Sequence, residues 1–244
     1  MRVTNHQTVY QLSFLPRVFP VNCYFVEEQD GLTLIDAGMP FSLKGILNAA
    51  RKIGKPIRRI VLTHAHEDHV GSLDALKKEV PDVVVYISYR DAALLGGDAS
   101  LLPTEPNVPI KGGIPKTVAT KADVLLRDQD RIESLLALDA PGHTPGSMAF
   151  LDTRNRILIA GDAFQTRGGI AVSGHLKPWF PFPAMATWHK PTALESAKKL
   201  RDLQPSVLAV GHGRMLQHPL KKMTQAIDEW EIHPALSTPH PTKE

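Results

Sequence analysis

A chain of 244 residues, 43% hydrophobic and 22% charged, has the composition of a globular protein with one large domain or two small ones. Its formal net charge of +3 is too mild to point to nucleic acid, and the pairs Arg58-Arg59 and Lys221-Lys222 read as solvated surface. One cysteine, Cys23, excludes an intrachain disulfide and a thiolate metal cluster, and apolar runs such as LTLI, ILIA and VLAV are far shorter than the ~20 residues of a membrane span. With no apolar core of signal-peptide length in MRVTNHQTVYQLSF, the expectation is a soluble cytoplasmic protein.

In chain order, residues 8–38 read as a β-meander: TVYQLSF, VNCYFVEE and GLTLIDAG are strand-like and separated by PRVFP and QDG turns. SLKGILNAARKIG follows with helical spacing through Leu43, Ile46, Leu47 and Ala50, and Gly54 as a C-cap. IRRIVLT predicts a strand, SLDALKKEV a helix capped by Ser72, VVVYIS a strand and YRDAALL a short helix. Residues 96–118 form a long Gly/Pro-rich loop, of the kind that often carries function. Strands are expected at 123–127, 131–138, 147–152 and 156–160. A second long loop, 163–189, precedes a helix at 191–203, a strand at 206–210 and a helix at about 218–230. One α/β domain over 1–232, with two sheets and outer helices, accounts for this order, and 233–244 read as a frayed tail.

The chemistry concentrates in THAHEDHVGS, residues 63–72. Residues two apart on an extended backbone point to the same side, so His64 and His66, leaving a strand end, can converge on one transition metal. Asp68 and His69 follow where the chain turns into a helix and would serve a second position nearby. Glu67 reads instead as a helix-start residue favoured by the helix dipole. Three more places repeat the pattern of a β run, a small residue and a ligand-type side chain: LDAPGHTPGS with His143, RILIAGDAF with Asp162 and SVLAVGHGR with His212. Ligands at the ends of separate strands meet at one edge of a sheet. His6, His218, His233 and His240 lack such a setting, whereas His175 and His189, in the second loop, could approach a substrate.

His64-Ala65-His66-Glu67-Asp68-His69, with His143, Asp162 and His212, resembles the full ligand set of the metallo-β-lactamase superfamily. LTLIDAG, with Asp36, resembles the first motif of that family. PGHTPGS and AGDAF are similar to the forms in its glyoxalase II-like and lactonase-like members. The resemblance implies a four-layer αββα sandwich with a dinuclear site at one edge. By position it assigns His64, His66 and His143 to one metal, Asp68, His69 and His212 to the other, and Asp162 to both. Asp36 would orient a ligand histidine by a hydrogen bond. The bridging aspartate and the lack of a cysteine at the second metal separate the chain from the true β-lactamases. His66 stands where flavodiiron proteins carry glutamate.

The implied activity is hydrolysis of a small ester, thioester or lactone by a metal-bridging hydroxide, with Asp68 as the proton shuttle. The cofactor would be two divalent ions, zinc first, with manganese or iron compatible with the same ligands. A mononuclear iron persulfide dioxygenase-like oxidoreductase using His64, His143 and Asp162 is the alternative enzyme, and a phosphodiesterase could use the same metals. The partner would be a small-molecule substrate, with neither nucleic acid nor membrane, and possible homodimerisation. KPWFPFPAMATWH, residues 177–189, gathers Trp179, Phe180, Phe182, Met185 and Trp188 without helical or strand period. These side chains either wall the substrate pocket or pack the loop against the core or a second copy.

Overall fold

In the computed structural model, which describes residues 1–232, the strands fall into two main sheets. The first runs in sequence order: β1 (Arg2–His6), β2 (Val9–Phe14), β3 (Val21–Glu27), β4 (Leu32–Ile35), β5 (Ile57–Val61), β6 (Val84–Ser88) and β7 (Val124–Leu126). Neighbours are antiparallel as far as β4 and parallel from there to β7. Parallel neighbours need crossovers. These contain α1 (Leu43–Ile53), then α2 (Glu67–Val70) and α3 (Leu73–Glu79), then α4 (Asp91–Leu95).

The second half of the chain supplies β8 (Arg131–Ile132), β9 (Leu135–Asp139), β10 (Met148–Asp152) and β11 (Ile157–Ile159). After the small ribbon of β12 (Phe164–Gln165) and β13 (Ala171–Val172) come α5 (Phe182–Ala186), α6 (Lys190–Asp202), β14 (Val207–Ala209), β15 (Leu216–Gln217) and α7 (Leu220–Ile232). The sheet order is β15-β14-β11-β10-β9-β8, antiparallel except where β14 joins β11.

Strand alternation explains the layering, because the inner strands of each sheet bury both of their faces. Phe25, Leu34 and Ile60 point to one side and pack with Ile46, Leu73, Leu76 and Leu94 of the first helices. Their neighbours Tyr24, Val26, Ile35 and Val61 point to the other side and meet Ala137, Phe150, Ile157 and Ile159 of the second sheet. Leu138, Leu158 and Leu208 face outward again, against Leu194, Ala197, Met223 and Trp230 of α6 and α7. Three apolar clusters thus separate four layers, the expected αββα sandwich.

Several local expectations change. The polar edge strand β1 has no buried apolar face for a pattern to reveal. The stretch 131–138 is a hairpin whose two-residue turn, with Glu133 at φ +51°, lacks the Asn-Gly signal of such turns. The Ser72 hydroxyl donates to the Met39 carbonyl at 2.6 Å and makes no cap to the helix it precedes. The second long loop holds β12, β13 and α5, and a short edge strand follows His212. The expected frayed tail lies outside the described residues. Gly54 does close α1, at φ +81° with its N–H on the Ala50 carbonyl.

Phe150 is fully buried between the sheets. Phe150→Ala is expected to lower stability by about 3–5 kcal/mol in urea unfolding. A loss under about 1 kcal/mol would mean that this layer is not the packed centre described.

Candidate metal centre

The ends of β5, β11 and β14 and the turn before β10 come to one edge of the sandwich. The Met148 N–H donates to the Thr63 carbonyl at 2.8 Å, joining the two sheets there. Asp36, just after β4, has a left-handed backbone at φ +62°. Its Oδ1 accepts the Thr63 N–H at 2.7 Å, and its Oδ2 accepts the Thr63 hydroxyl at 2.9 Å and His69 Nδ1–H at 2.8 Å. The Thr63 proton is therefore committed, so His64 Nδ1–H donates to Thr63 Oγ1 at 2.9 Å. In both rings Nε2 is left bare.

The other three imidazoles are fixed in the same manner. His66 Nε2–H donates to the Lys111 carbonyl at 2.9 Å, which bares its Nδ1. His212 Nδ1–H donates to the Pro20 carbonyl at 2.7 Å. His143 Nδ1 meets Ser173 Oγ at 3.0 Å, Ser173 meets Thr187 at 2.8 Å, and the Thr187 hydroxyl donates to the Pro183 carbonyl. A carbonyl can only accept, so every proton in that chain points away from the site. All five rings thus turn inward the nitrogen that carries the lone pair when the ring is neutral. His66 Nδ1 and His143 Nε2 lie 3.0 Å apart, lone pair against lone pair.

The bare atoms form overlapping groups of ligand geometry: His64 with His66 and His143, His64 with His69 and Asp162, and Asp68 with His69 and His212. Asp162 reaches both ends, its Oδ2 3.4 Å from His143 and 3.1 Å from His212 and its Oδ1 3.6 Å from His69. Asp68 Oδ2 lies 3.4 Å from His212. His64 Nε2, His69 Nε2 and Asp162 Oδ1 are buried without any hydrogen-bond partner among the described residues. Leaving such atoms unmatched is costly, and divalent cations would satisfy all of them. The backbone makes room: a Cβ on Gly211 would overlap Asp162, and one on Gly112, at φ +94°, would overlap the His66 ring.

The charge balance agrees. Burial pushes the His64 pKa well below its ordinary value and takes that of His143 down to about 3, so both are neutral donors of lone pairs. Burial also opposes charge on His69, but Asp68, Asp162 and Asp36 outweigh it and raise its pKa to about 10. For Asp162, burial is outweighed by His212 and His69, and the carboxyl titrates well below the usual range. In the bare protein, protons on His69 supply positive charge that metal ions would otherwise bring.

A cavity of about 740 Å³ opens onto these groups, with Asp68, His143, Asp162 and His212 in its wall. Of the five apolar residues marked in the second loop, Phe182 and Met185 line it, together with Phe19, Met39 and Val118. The other three do not. Trp179 is 88% exposed outside the cavity. Phe180 is buried, its ring 5.1 Å from Phe19 and 5.5 Å from His212. Trp188 is buried too, and its Nε1–H on the Val108 carbonyl ties the two long loops together. The prolines break any period, so spacing could not sort inward from outward side chains. His175 and His189 also lie off this wall.

Asp91, on α4, carried no signal in the sequence beyond a helix start. It is fully buried, and its Oδ2 accepts the Ala65 N–H at 3.1 Å and the Thr144 hydroxyl at 2.7 Å, while Oδ1 accepts the Gly146 N–H at 2.8 Å. Ala65 lies between His64 and His66, and Thr144 follows His143, so one carboxylate fastens two ligand-bearing turns. Asn22, Tyr24 and Gln11 do the same for His212, through the carbonyls of Val210 and Gly213. Asp91→Asn keeps the volume but sets an amide N–H₂ against donors. It is expected to cost about 1–3 kcal/mol in unfolding of the metal-free protein and to weaken zinc retention in chelator competition. Unchanged retention would show that the carboxylate does not position the ligands.

A family model described as the metallo-beta-lactamase superfamily matches residues 16–212. The uncharacterized protein YobT of Bacillus subtilis strain 168 is 60% identical over 229 residues, 94% of this chain and 98% of YobT. A probable metallo-hydrolase of the same organism, YflN, is 31% identical over 214 residues, covering 79% of this chain and 80% of the relative. The crystal structure of TTHA1623 in a di-iron-bound form superposes with a TM-score of 0.64 at 27% identity, over 86% of this chain and 96% of the other. The sandwich, the edge at which its strand ends meet and the match over most of the length agree: the chain belongs to the metallo-β-lactamase superfamily.

Proposed function

We propose that this protein is a metal-dependent hydrolase with a dinuclear centre, zinc as its native metal, and a small ester, thioester or lactone as its substrate in the cytoplasm. The observation that carries the reading is the set of five imidazoles whose outer nitrogens are all engaged and whose inner nitrogens face Asp68 and Asp162. His64, His66 and His143 would hold one ion, Asp68, His69 and His212 the other, and Asp162 both. The name of YflN, a metallo-hydrolase, and the two irons of TTHA1623 support the chemistry at the level of the family. A mononuclear oxidoreductase centred on His64, His143 and Asp162 would leave Asp68, His69 and His212 gathered without a task.

Bound divalent ions would supply a water with pKa lowered from about 15.7 towards about 7 and a Lewis acid for the substrate oxygen. The chain's own groups do the rest. Asp68, with 26% of its side chain exposed against 3% for Asp162, is the more open of these two carboxylates and would take and return a proton. Asp36 and the Ser173–Thr187 pair hold His69 and His143 in single tautomers, so the site needs no rearrangement of protons when charge develops. Phe19, Met39, Phe182 and Met185 give the cavity an apolar wall that would suit an apolar acyl group.

Two measurements test this. Purified protein should contain about two transition metals per chain and cleave at least one member of a panel of esters, thioesters and lactones in preference to β-lactams and phosphodiesters. Asp68→Asn should lower turnover by about 10²–10⁴-fold with a smaller change in KM. Metal content well below one after reconstitution, or near wild-type turnover in a metal-replete Asp68→Asn, would refute the assignment. In the second, truncating Phe182 and Met185 together to alanine should reduce kcat/KM on long-chain acyl esters about tenfold more than on acetyl esters, as expected for lost apolar contact. Equal losses would assign the pair to packing.

A further inference from the structure

Behind the turn that carries His212 lies a second concave region. A cavity of about 590 Å³ and one of about 620 Å³ share Arg2, Pro16, Arg167 and Arg214 in their walls. Arg17 completes the second, while Lys222 and the backbone of Gly168, Gly169 and Gly213 complete the first. Among the described residues, no aspartate or glutamate lines either one. Five cationic side chains therefore face one groove, in a chain whose formal net charge is only +3.

These cations are unlike many of the others in the protein. Arg59, Arg90, Arg154 and Arg201 each pair with a carboxylate. Among the described residues Arg2, Arg17, Arg167, Arg214 and Lys222 have no ion pair, and the only hydrogen bond from their charged ends runs from Arg167 to the Arg17 carbonyl. Arg2 Nε is buried and without a partner among the described residues. Clustered like charges repel, and a buried donor without an acceptor costs free energy. A multiply charged anion removes both costs.

We propose that this groove binds an organic diphosphate of the nucleoside diphosphate class. Guanidinium forks match phosphate oxygens in pairs, and four forks exceed what a single phosphoryl group engages. Ile170, Met215, Pro16 and Pro20 give the same walls an apolar surface for the organic part. A polymer would need a longer cationic track, and the adjoining cavity of about 360 Å³ that shares Arg2, Arg214 and Met215 adds no further arginine or lysine among the described residues. No residue of the groove lines the cavity at the metal centre, so the site is separate from the hydrolytic one and does not rest on it. The two are neighbours all the same: the Pro20 carbonyl accepts from His212, and the Arg167 N–H donates to the His212 carbonyl at 3.2 Å.

Calorimetric titration of the metal-replete protein with ADP and with pyrophosphate tests the proposal. ADP should bind in the micromolar range and weaken about tenfold or more between roughly 50 and 300 mM salt. Arg167→Ala with Arg214→Ala should weaken it at least about tenfold. Arg17→Ala, at an exposed position, should weaken it by itself and guards against loss through misfolding. Tighter binding of ADP than of pyrophosphate supports the nucleoside class, and equal binding overturns it. No heat at about 1 mM ligand, or affinity unchanged in the arginine variants because the phosphates sit on the metals, overturns the site. So does a single-stranded oligonucleotide that binds more tightly than ADP.

Discussion

The direction of the imidazole protons is the constraint on which the centre depends. A histidine offers a lone pair at one nitrogen only when the other holds its hydrogen. Five different acceptors keep that hydrogen outside the cluster: a hydroxyl for His64, carbonyls for His66 and His212, a carboxylate for His69 and a relay of hydroxyls for His143. Were one of these rings free to flip, an N–H would face the other donors and the inner space would no longer suit a cation. The acceptors come from turns at the edge of the first sheet and from both long loops, so distant parts of the chain are engaged in holding them.

Apolar packing sets the frame for this polar cluster. The core between the sheets ends where Val61, Ile159 and Ala209 give way to Thr63, Asp162 and His212, so the strands leave the dry interior together. Beyond that line lies a layer of buried polar groups with partners: Asp36 with Thr63, Asp91 with Thr144, and Asn22 and Tyr24 with the turn around His212. Such layers stabilise only when nearly complete. Besides Asn22 Oδ1, the exceptions at this edge among the described residues are His64 Nε2, His69 Nε2 and Asp162 Oδ1, the atoms that a bound cation would satisfy.

How much of this could be read in the sequence follows from the physics of each part. The ligand candidates were legible because they combine unusual residue types with strand ends, and the two sheets with outer helices because of the order of strand-like and helix-like runs, while the four-layer sandwich followed from the resemblance. Asp91, Asn22 and Gln11 were not, since they lie in ordinary-looking strands and helix starts and act through backbone groups whose positions only the folded chain defines. The aromatic loop shows the opposite limit. Composition identified Trp179, Phe180, Phe182, Met185 and Trp188 as a group, but a proline-broken segment has no period, and only Phe182 and Met185 face the cavity. The hairpin at Glu133 was missed for want of a glycine at its left-handed turn.

The spacing of the ligands along the chain has a bearing on biosynthesis. His64, His66, Asp68 and His69 belong to the first sheet, whereas His143, Asp162 and His212 belong to the second. On the ribosome the first four emerge together, and the last arrives only after 143 further residues have been added to His69. A first sheet formed alone would present only an open half-site of four donors. The complete donor set exists only once the second sheet has docked, so the site as a whole is a property of the finished sandwich and not of the strand end made first.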